Sequence, residues 1–323
     1  MKKLLKFMAC ALAVSFGLTA CDDGKQAHRP WDSGYKPQSS VPGMNTSHRL
    51  VGEMYGRNGV ATNNEDAQGI VFGVDESKGI VYLVSFTDAM LVGATNALDE
   101  TYNYYNNPEG EGSTPYGYFA PERRWGLVIP SQYDTIYETK EENGVMVDDT
   151  VIKNLAVIHN TNGEINTAQI LETFKLAIER DTTITLPKVY AAQACREYYR
   201  RQWGRNLRDD ADPIGAKWAD TKGEWYLPSI EELGALMKNR DKINNKYGST
   251  PSNFVNENFF MPIGGENGHA YWSSSEFNVQ SAWYCLSRKG DGTGNPVNDR
   301  YGYFQKNDRQ NMYVRPVRTA PLR

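Results

Sequence analysis

The chain has 323 residues, 35 of them basic and 39 acidic, which gives a formal net charge of −4 at pH 7. The first twenty residues hold three lysines and no acid, so the rest of the chain carries 32 basic and 39 acidic side chains, a net charge of −7. We expect no nucleic-acid partner, because phosphate binding needs clustered positive charge. The length suits one large domain or two small ones.

Residues 1–20 have the pattern of a secretory signal. Lys2, Lys3 and Lys6 give a positive start, and residues 4–16 are apolar apart from Lys6 and Ser15, a stretch too short to span a bilayer stably. Leu18-Thr19-Ala20-Cys21 follows and resembles a bacterial lipobox, in which the cysteine is lipidated before cleavage. We therefore expect Cys21 to become the acylated N-terminus. No other stretch is apolar enough to span, so the lipid on Cys21 is the expected attachment to the membrane.

Residues 21–48 predict a lipidated flexible tether, because they are polar, contain three prolines and show no apolar period. Asp22 and Asp23 directly follow the cysteine and resemble the acidic export signals of surface lipoproteins in some Gram-negative bacteria. In other bacteria an aspartate in the first of these positions retains a lipoprotein at the inner membrane. We expect a lipid-anchored protein of the cell envelope, at the outer membrane, with surface exposure left open.

Residues 49–323 have the pattern of one globular domain. Two β-rich runs, 69–74 and 79–86, predict a β-hairpin. A loop rich in Tyr, Asn and Gly covers residues 100–120. Further short apolar runs and strand candidates lie at 127–129, 155–158, 270–273, 281–287 and 312–318.

Three helices are predicted from apolar residues at helical spacing. Asn166, with Gln169, is the expected cap of the first helix, and the second turns Cys195 inward. The third starts at a capping box formed by Ser229 and Glu232. Helices in the middle and strands at both ends predict an α+β domain whose termini meet in one sheet. The expected buried stripes are Ile170, Leu171, Phe174, Ala177 and Ile178; Ala191, Cys195, Tyr198 and Gln202; and Ile230, Leu233, Leu236 and Met237.

Two cysteines remain in the mature domain, Cys195 and Cys285, because Cys10 lies in the signal and Cys21 takes the lipid. The compartment outside the cytoplasm permits disulfides. A structural disulfide between the two and a pair of buried free thiols are both open from the sequence. Neither lies in a CxxC motif or beside a histidine, so we do not expect a redox or nucleophilic pair.

A series of motifs in the C-terminal third stands in a characteristic order. The motifs are residues 225–233 (WYLPSIEEL), 271–276 (YWSSSE), 282–283 (AW) and 313–318 (YVRPVR). They resemble the bacterial domain family named after the C-terminal domain of a collagen-like adhesin, formerly a domain of unknown function. Earlier blocks extend the resemblance in the same order over roughly residues 65–318, at 69–72, 79–85, 163–167 and 191–195.

That family is similar to C-type-lectin-like folds and to formylglycine-generating enzymes. The resemblance implies a C-type-lectin-like α+β fold with short antiparallel strands, about three helices and long loops, a fold that hosts both binding modules and enzymes. We expect the motif residues to serve structure, with Arg315 and Arg318 paired to buried acids such as Glu231 or Glu276.

One position departs from the family. Its members often carry a cysteine in the final strand, where this chain has Pro316, and that cysteine would bridge to the helix cysteine. The resemblance therefore leaves Cys285 as the substitute partner of Cys195.

The expected function is non-catalytic binding of a glycan or a protein, in adhesion. The candidate ligand residues are tyrosines, because aromatic rings can stack on sugars. Aromatic rings more often fill cores, so the alternative is that these tyrosines cover the domain's own core. The Glu-Pro-Asn and Gln-Pro-Asp tripeptides of calcium-dependent lectins do not occur, and we expect no metal and no cofactor. The candidate ligand residues are five tyrosines of one loop, Tyr102, Tyr104, Tyr105, Tyr116 and Tyr118.

Two other functions are weighed against binding. A structural subunit of a pilus tip or envelope assembly is the alternative, and the sequence separates it poorly from a binding module. An enzyme related to formylglycine-generating enzymes is less well supported, because those need a reactive cysteine pair in an active-site groove. The motifs HExxH and GxSxG are also absent, and we expect no catalytic residue.

Overall fold

The computed structural model describes residues 41–89, 125–126, 135–142, 145–153, 161–180, 190–199, 217–247, 260, 262–264, 269–277, 281–287, 299–306 and 312–323. Cys21, the tether up to residue 40 and the five candidate tyrosines lie outside the described residues. The roles expected for them stay predictions.

The described chain is a mixed α+β structure with largely antiparallel strands. The α+β class predicted from the sequence is therefore confirmed. The strands, in chain order, are β1 (Met54–Gly56), β2 (Gly59–Val60), β3 (Gly69–Asp75), β4 (Ile80–Val84), β5 (Thr135–Glu142), β6 (Val145–Lys153), β7 (His269–Glu276), β8 (Ser281–Ser287), β9 (Arg300–Gln305), β10 (Met312–Tyr313) and β11 (Val317–Pro321). The helices are α1 (Gly163–Arg180), α2 (Ala191–Glu197) and α3 (Ile230–Tyr247), with a short 3-10 helix at Ala219–Thr221.

Residues from both ends of the domain form a five-stranded antiparallel sheet in the order β11-β4-β3-β1-β2. β3 and β4 make the predicted hairpin, with a bulge between Val71 and Gly73. β11 pairs with β4 from Val317 opposite Val84 to Pro321 opposite Ile80. The expectation that the two ends of the domain share one sheet is confirmed.

A second sheet has four strands in the order β10-β7-β8-β9. β7, β8 and β9 are antiparallel neighbours, whereas β10 runs parallel to β7. Among the described strands, β5 and β6 form a separate two-stranded antiparallel pair. Three of the four strands of the second sheet, β7, β8 and β9, are consecutive along the chain and adjacent in the sheet.

The segment 312–318, predicted as one strand, divides between the two sheets. β10 ends at Tyr313 and β11 begins at Val317. Pro316 lies between them and has no N–H to offer a ladder. The carbonyls of this segment accept hydrogen bonds from the chain after β4 instead, Pro316 from Ser85 at 3.0 Å and Val314 from Ala89 at 2.7 Å.

α1 starts before the cap predicted for it. The helix begins at Gly163, and the Asn162 Oδ1 accepts a hydrogen bond from the Ile165 N–H at 3.0 Å. Asn166, the predicted cap, is buried in the first turns and donates its side-chain amide to the Ser274 hydroxyl at 3.0 Å. The apolar face of α1 is as expected, with Ile170, Phe174 and Ala177 buried.

α3 starts as predicted. The Ser229 Oγ accepts from the Glu232 N–H at 3.2 Å, and the Glu232 carboxylate accepts from the Ser229 N–H at 2.8 Å. These two reciprocal bonds are the capping box. The predicted stripe of Ile230, Leu233 and Leu236 is fully buried.

Three apolar clusters hold these elements together. The first lies between the five-stranded sheet, α3 and one face of the four-stranded sheet, and includes Phe72 and Tyr271. The second lies on the opposite face of the four-stranded sheet, with α1 and α2, and includes Phe174 and Trp272. The third covers the other face of the five-stranded sheet and includes Leu83. The two faces of the four-stranded sheet therefore look into different cores.

The packed chain extends further toward the N-terminus than the boundary at residue 49. Val41 is buried in the first cluster, and Asn45 forms an isolated antiparallel bridge with Val74. Residues 41–48, assigned to the tether from their polar composition, thus belong to the domain. A short apolar anchor such as Val41 leaves too little periodicity for a sequence pattern to detect.

Candidate functional site

The motif at residues 225–233 builds a buried joint around the Glu232 carboxylate. Its Oε1 accepts from the Tyr226 hydroxyl at 3.1 Å, and its Oε2 accepts from the backbone N–H groups of Ser229 and Gly163 at 2.8 and 2.9 Å. Burial raises the pKa of Glu232 above its ordinary value despite these donors. One side chain thereby connects the first turns of α3 and α1, so its role is structural.

Gly163 makes this joint possible. A Cβ atom built on Gly163 would lie 2.4 Å from the Leu227 carbonyl oxygen and 2.6 Å from the Ser229 nitrogen. Both contacts are with backbone, which cannot swing aside. The first turn of α1 can therefore approach the first turn of α3 only where no side chain stands between them.

The arginines of the final motif pair with acids other than those expected. Arg315 is fully buried, donates to Asp88 Oδ1 at 3.1 Å and donates to the Phe86 carbonyl at 3.1 Å. Burial raises the pKa of Asp88 to about 6 even beside the guanidinium. Arg318 pairs with Glu224. Arg315 thus has a buried acid as expected, but the acid is Asp88 and not Glu231 or Glu276, because the chain after β4 brings Asp88 to Arg315 through strand pairing that no local pattern reveals. The acid beside Arg318, Glu224, is exposed.

Glu276 pairs instead with Lys306. Both side chains are almost fully buried, and the Lys306 ammonium lies 4.8 Å from the centroid of the Trp125 ring. The Trp125 indole donates to the Ser273 carbonyl at 2.7 Å. This ion pair is enclosed on the side of the four-stranded sheet that faces the second cluster.

The two domain cysteines are free and buried in different clusters. Cys195 belongs to the second cluster and Cys285 to the first, on opposite faces of the four-stranded sheet. Of the two alternatives that the sequence left open, the structure has the buried free thiols and no disulfide. Burial raises the pKa of both thiols well above the usual value, which disfavours the reactive thiolate.

His269 is half-buried at the start of β7. Its ring stacks on Tyr313, with centroids 4.1 Å apart and planes 16° apart. Burial, together with the charge of Arg315, lowers the pKa of His269 to about 4. Within the described residues, no group of three or more His, Cys, Asp or Glu side chains is arranged to hold a metal ion.

The exposed feature of the four-stranded sheet is a cluster of three aromatic rings, Phe277, Trp283 and Tyr303, here called the ring cluster. Phe277 and Tyr303 stack face to face, with centroids 3.8 Å apart and planes 6° apart. The Trp283 ring stands perpendicular to both, with centroids 5.1 Å from Phe277 and 5.9 Å from Tyr303. Three rings from three consecutive segments thus meet at one end of the sheet.

Strand register explains this meeting. Trp283 of β8 lies directly opposite Tyr303 of β9, and the Phe277 N–H donates to the Ser281 carbonyl at 2.9 Å across the turn after β7. Because side chains alternate along a strand, Trp283 points to the same face as Cys285. Cys285 is covered by the first cluster and α3. Trp283 lies two residues earlier, nearer the start of β8, and is only partly buried.

Phe277 is 41% exposed, and the other exposed large apolar side chains among the described residues are the aliphatic Val60 and Ile165. An exposed aromatic ring held by two other rings is a preformed, rigid apolar surface. Such a surface suits contact with a ligand that has an apolar face.

Sequence reasoning missed most of this cluster. Trp283 was noted as part of a motif and assigned to structure, while Phe277 and Tyr303 were not singled out. The sequence SAWYCLS of β8 has no alternation of polar and apolar residues that would mark Trp283 as less buried than its neighbours. The five candidate tyrosines lie outside the described residues, so the structure neither brings them to the ring cluster nor separates them from it.

No family model, curated protein or solved structure was found to match this chain. No helix within the described ranges is both long and apolar enough to cross a membrane.

Proposed function

We propose that this chain is a lipid-anchored protein of the cell envelope, acylated at Cys21, whose domain is a non-catalytic binding module used in adhesion. The ligand docks on the ring cluster of Phe277, Trp283 and Tyr303. The observation that carries the proposal is the exposed Phe277 ring, held in place by a stacked and a perpendicular neighbour. The resemblance to C-type-lectin-like domains supports the same function.

The N-terminal part of the domain and the strand that leads to Phe277 contact α3 at different points. The chain that follows the tether joins the domain at the end of β3, where the Asn45 N–H donates to the Val74 carbonyl at 2.7 Å. Ser275, two residues before Phe277, lies at the first turn of α3, where its hydroxyl accepts from the Ile230 N–H at 3.0 Å.

α3 measures the separation between these two places. Nine residues after Ile230, the Asn239 amide donates to the Thr46 carbonyl at 3.0 Å. Nine helical residues span about 14 Å, so Ser275, two residues before Phe277, and Thr46 contact α3 at points about that far apart along its axis.

The two cysteines weigh against the enzymatic alternative. Formylglycine-type chemistry would need two reactive cysteines in one groove, whereas Cys195 and Cys285 lie on opposite faces of a sheet. Their raised pKa values keep both thiols protonated near neutral pH. The buried carboxylates and amines described above are likewise engaged inside the fold.

The experiment is an array of immobilised neutral and acidic glycans, probed with the lipidated protein in detergent with and without calcium. We expect binding to at least one glycan class, lowered about tenfold by Phe277→Ala, since loss of one stacked ring removes about 1–3 kcal/mol. Ile165→Ala is the matched control, because Ile165 is 42% exposed but lies on α1. Tyr104→Ala tests the loop that the sequence indicated.

Two results would contradict the proposal. Absence of binding to every glycan on the array, with and without calcium, would contradict a glycan-binding function. Binding that survives Phe277→Ala but is lost in Tyr104→Ala would move the site from the ring cluster to the tyrosine loop.

A further inference from the structure

We infer that the ring cluster takes a neutral hexopyranose unit, whose C–H face stacks on the outer face of Phe277. This inference rests on the proposed function and names the class of ligand for the same site.

The geometry of the rings leaves one flat face open. Tyr303 covers one face of Phe277 in a parallel stack at 3.8 Å, and Trp283 meets the pair edge-on. Phe277 is nevertheless 41% exposed, and with these two sides covered we assign its free area to the face turned away from Tyr303. A flat, isolated ring face with negative quadrupole suits the weakly positive C–H groups on one side of a pyranose.

The charged side chains that adjoin the rings in sequence favour a ligand without charge. They are Glu276, directly before Phe277, and Lys306, directly after Gln305. These two pair with each other and are almost fully buried. Glu276 lies opposite Ala282 in the register and so faces the second cluster, on the opposite side of the sheet from Trp283. Neither therefore offers the ring face a counter-charge for a uronate, a sialic acid or an amine.

A polar group suited to sugar hydroxyls lies beside the rings. Gln305 comes two residues after Tyr303 on β9 and lies opposite Ser281, so alternation places it on the same face as Tyr303 and Trp283. Gln305 is exposed. A primary amide both donates and accepts hydrogen bonds, which matches a hydroxyl that does the same.

The same geometry argues against two other ligands of aromatic clusters. A quaternary ammonium group needs ring faces set apart around it, and a polyproline segment needs grooves between aromatic ridges. Phe277 and Tyr303 are in direct contact at 3.8 Å, which leaves neither a cage nor a slot between them.

The test is saturation-transfer NMR and calorimetry on the lipidated protein in detergent, with neutral gluco- and galacto-oligosaccharides as probes. Oligogalacturonate, choline and a proline-rich peptide are the competing probes. We expect a neutral oligosaccharide to bind, with saturation strongest on the C–H protons of one sugar face. Phe277→Ala should weaken it about tenfold, Phe277→Trp should preserve it, and Gln305→Ala should weaken it a few-fold, about 1 kcal/mol. Ile165→Ala should leave affinity unchanged.

The outcomes separate this inference from the proposed function. Binding of oligogalacturonate, choline or the peptide that depends on Phe277 would overturn the neutral-sugar inference and leave a binding module at the ring cluster. Neutral-sugar binding that Phe277→Ala leaves intact would overturn the inference by placing the sugar elsewhere. Failure of every probe to bind would contradict both.

Discussion

His269 begins β7, is half-buried and stacks on Tyr313 of the neighbouring strand, near Arg315. Burial and the guanidinium charge both disfavour the imidazolium, so the pKa of His269 falls from 6.5 to about 4. Below pH 6.5 the His269 imidazole binds a proton in the unfolded chain, whereas in the folded chain it stays neutral down to about pH 4. The free energy of unfolding therefore falls as the pH falls through this window.

The variant His269→Phe tests this, because it keeps a ring for the stack and removes the titration. Between about pH 7 and pH 5, the wild type should lose up to about 2 kcal/mol of unfolding free energy that the variant keeps. Urea unfolding at the two pH values measures the difference. Equal pH slopes in the two proteins would show that the imidazole titrates normally.

Comparison between variants is needed because two acids act in the opposite direction. Burial raises the pKa values of Asp88 and Asp299 to about 6. Between their ordinary range and pH 6, the folded chain holds protons that the unfolded chain has released, so stability falls as the pH rises. These contributions are the same in wild type and in His269→Phe, and they cancel in the difference.

At the scale of the elements, one carboxylate, that of Glu232, joins the first turns of α1 and α3. Glu232 accepts hydrogen bonds from the Tyr226 hydroxyl and from the backbone N–H groups of Ser229 and Gly163. An amide in its place offers one oxygen and one NH₂ group, and the NH₂ would face a donor. A buried donor left without an acceptor costs about 1–3 kcal/mol.

We therefore expect Glu232→Gln to lower the free energy of unfolding by about 2 kcal/mol. Glu172→Gln is the matched control, since Glu172 is an exposed residue of α1, and it should change stability by less than about 0.5 kcal/mol. Urea unfolding followed by circular dichroism measures both. Equal stabilities of Glu232→Gln and Glu172→Gln would mean that the carboxylate does not join the helices.

The elements that the sequence predicted well are those whose signals are local. The capping box of α3 depends on two residues three positions apart, and the β3–β4 hairpin depends on two adjacent apolar runs. The start of α1 was misplaced because Asn162 and Asn166 are both acceptable caps, and only the contact of Asn166 with Ser274 decides between them.

The ring cluster could not be predicted because its members meet through register. Phe277 follows one strand and Tyr303 lies in another, and nothing in their immediate neighbours marks either as exposed. The Arg315–Asp88 pair joins residues 227 positions apart. Both need the pairing of strands to be known before the side chains can be placed.

At the scale of the whole molecule, the proposed attachment to the membrane depends on one residue, Cys21. Cys21→Ser should abolish incorporation of labelled palmitate and leave residues 1–20 on the chain, because the proposed lipidation precedes cleavage. Labelling and the intact mass of the N-terminal peptide measure both effects. Cys195→Ala is the control and should keep the label; a Cys21→Ser protein that does the same would remove the lipid anchor.

The pairing of β11 with β4 has a consequence for how the chain acquires its structure. Residues 317 and 84 are partners in the ladder although almost the whole domain separates them. Contacts so distant in sequence form late and slow folding. The five-stranded sheet therefore stays open at β4 until β11 has been synthesised. A chain that is exported in an extended, unfolded form would remain unfolded during this delay.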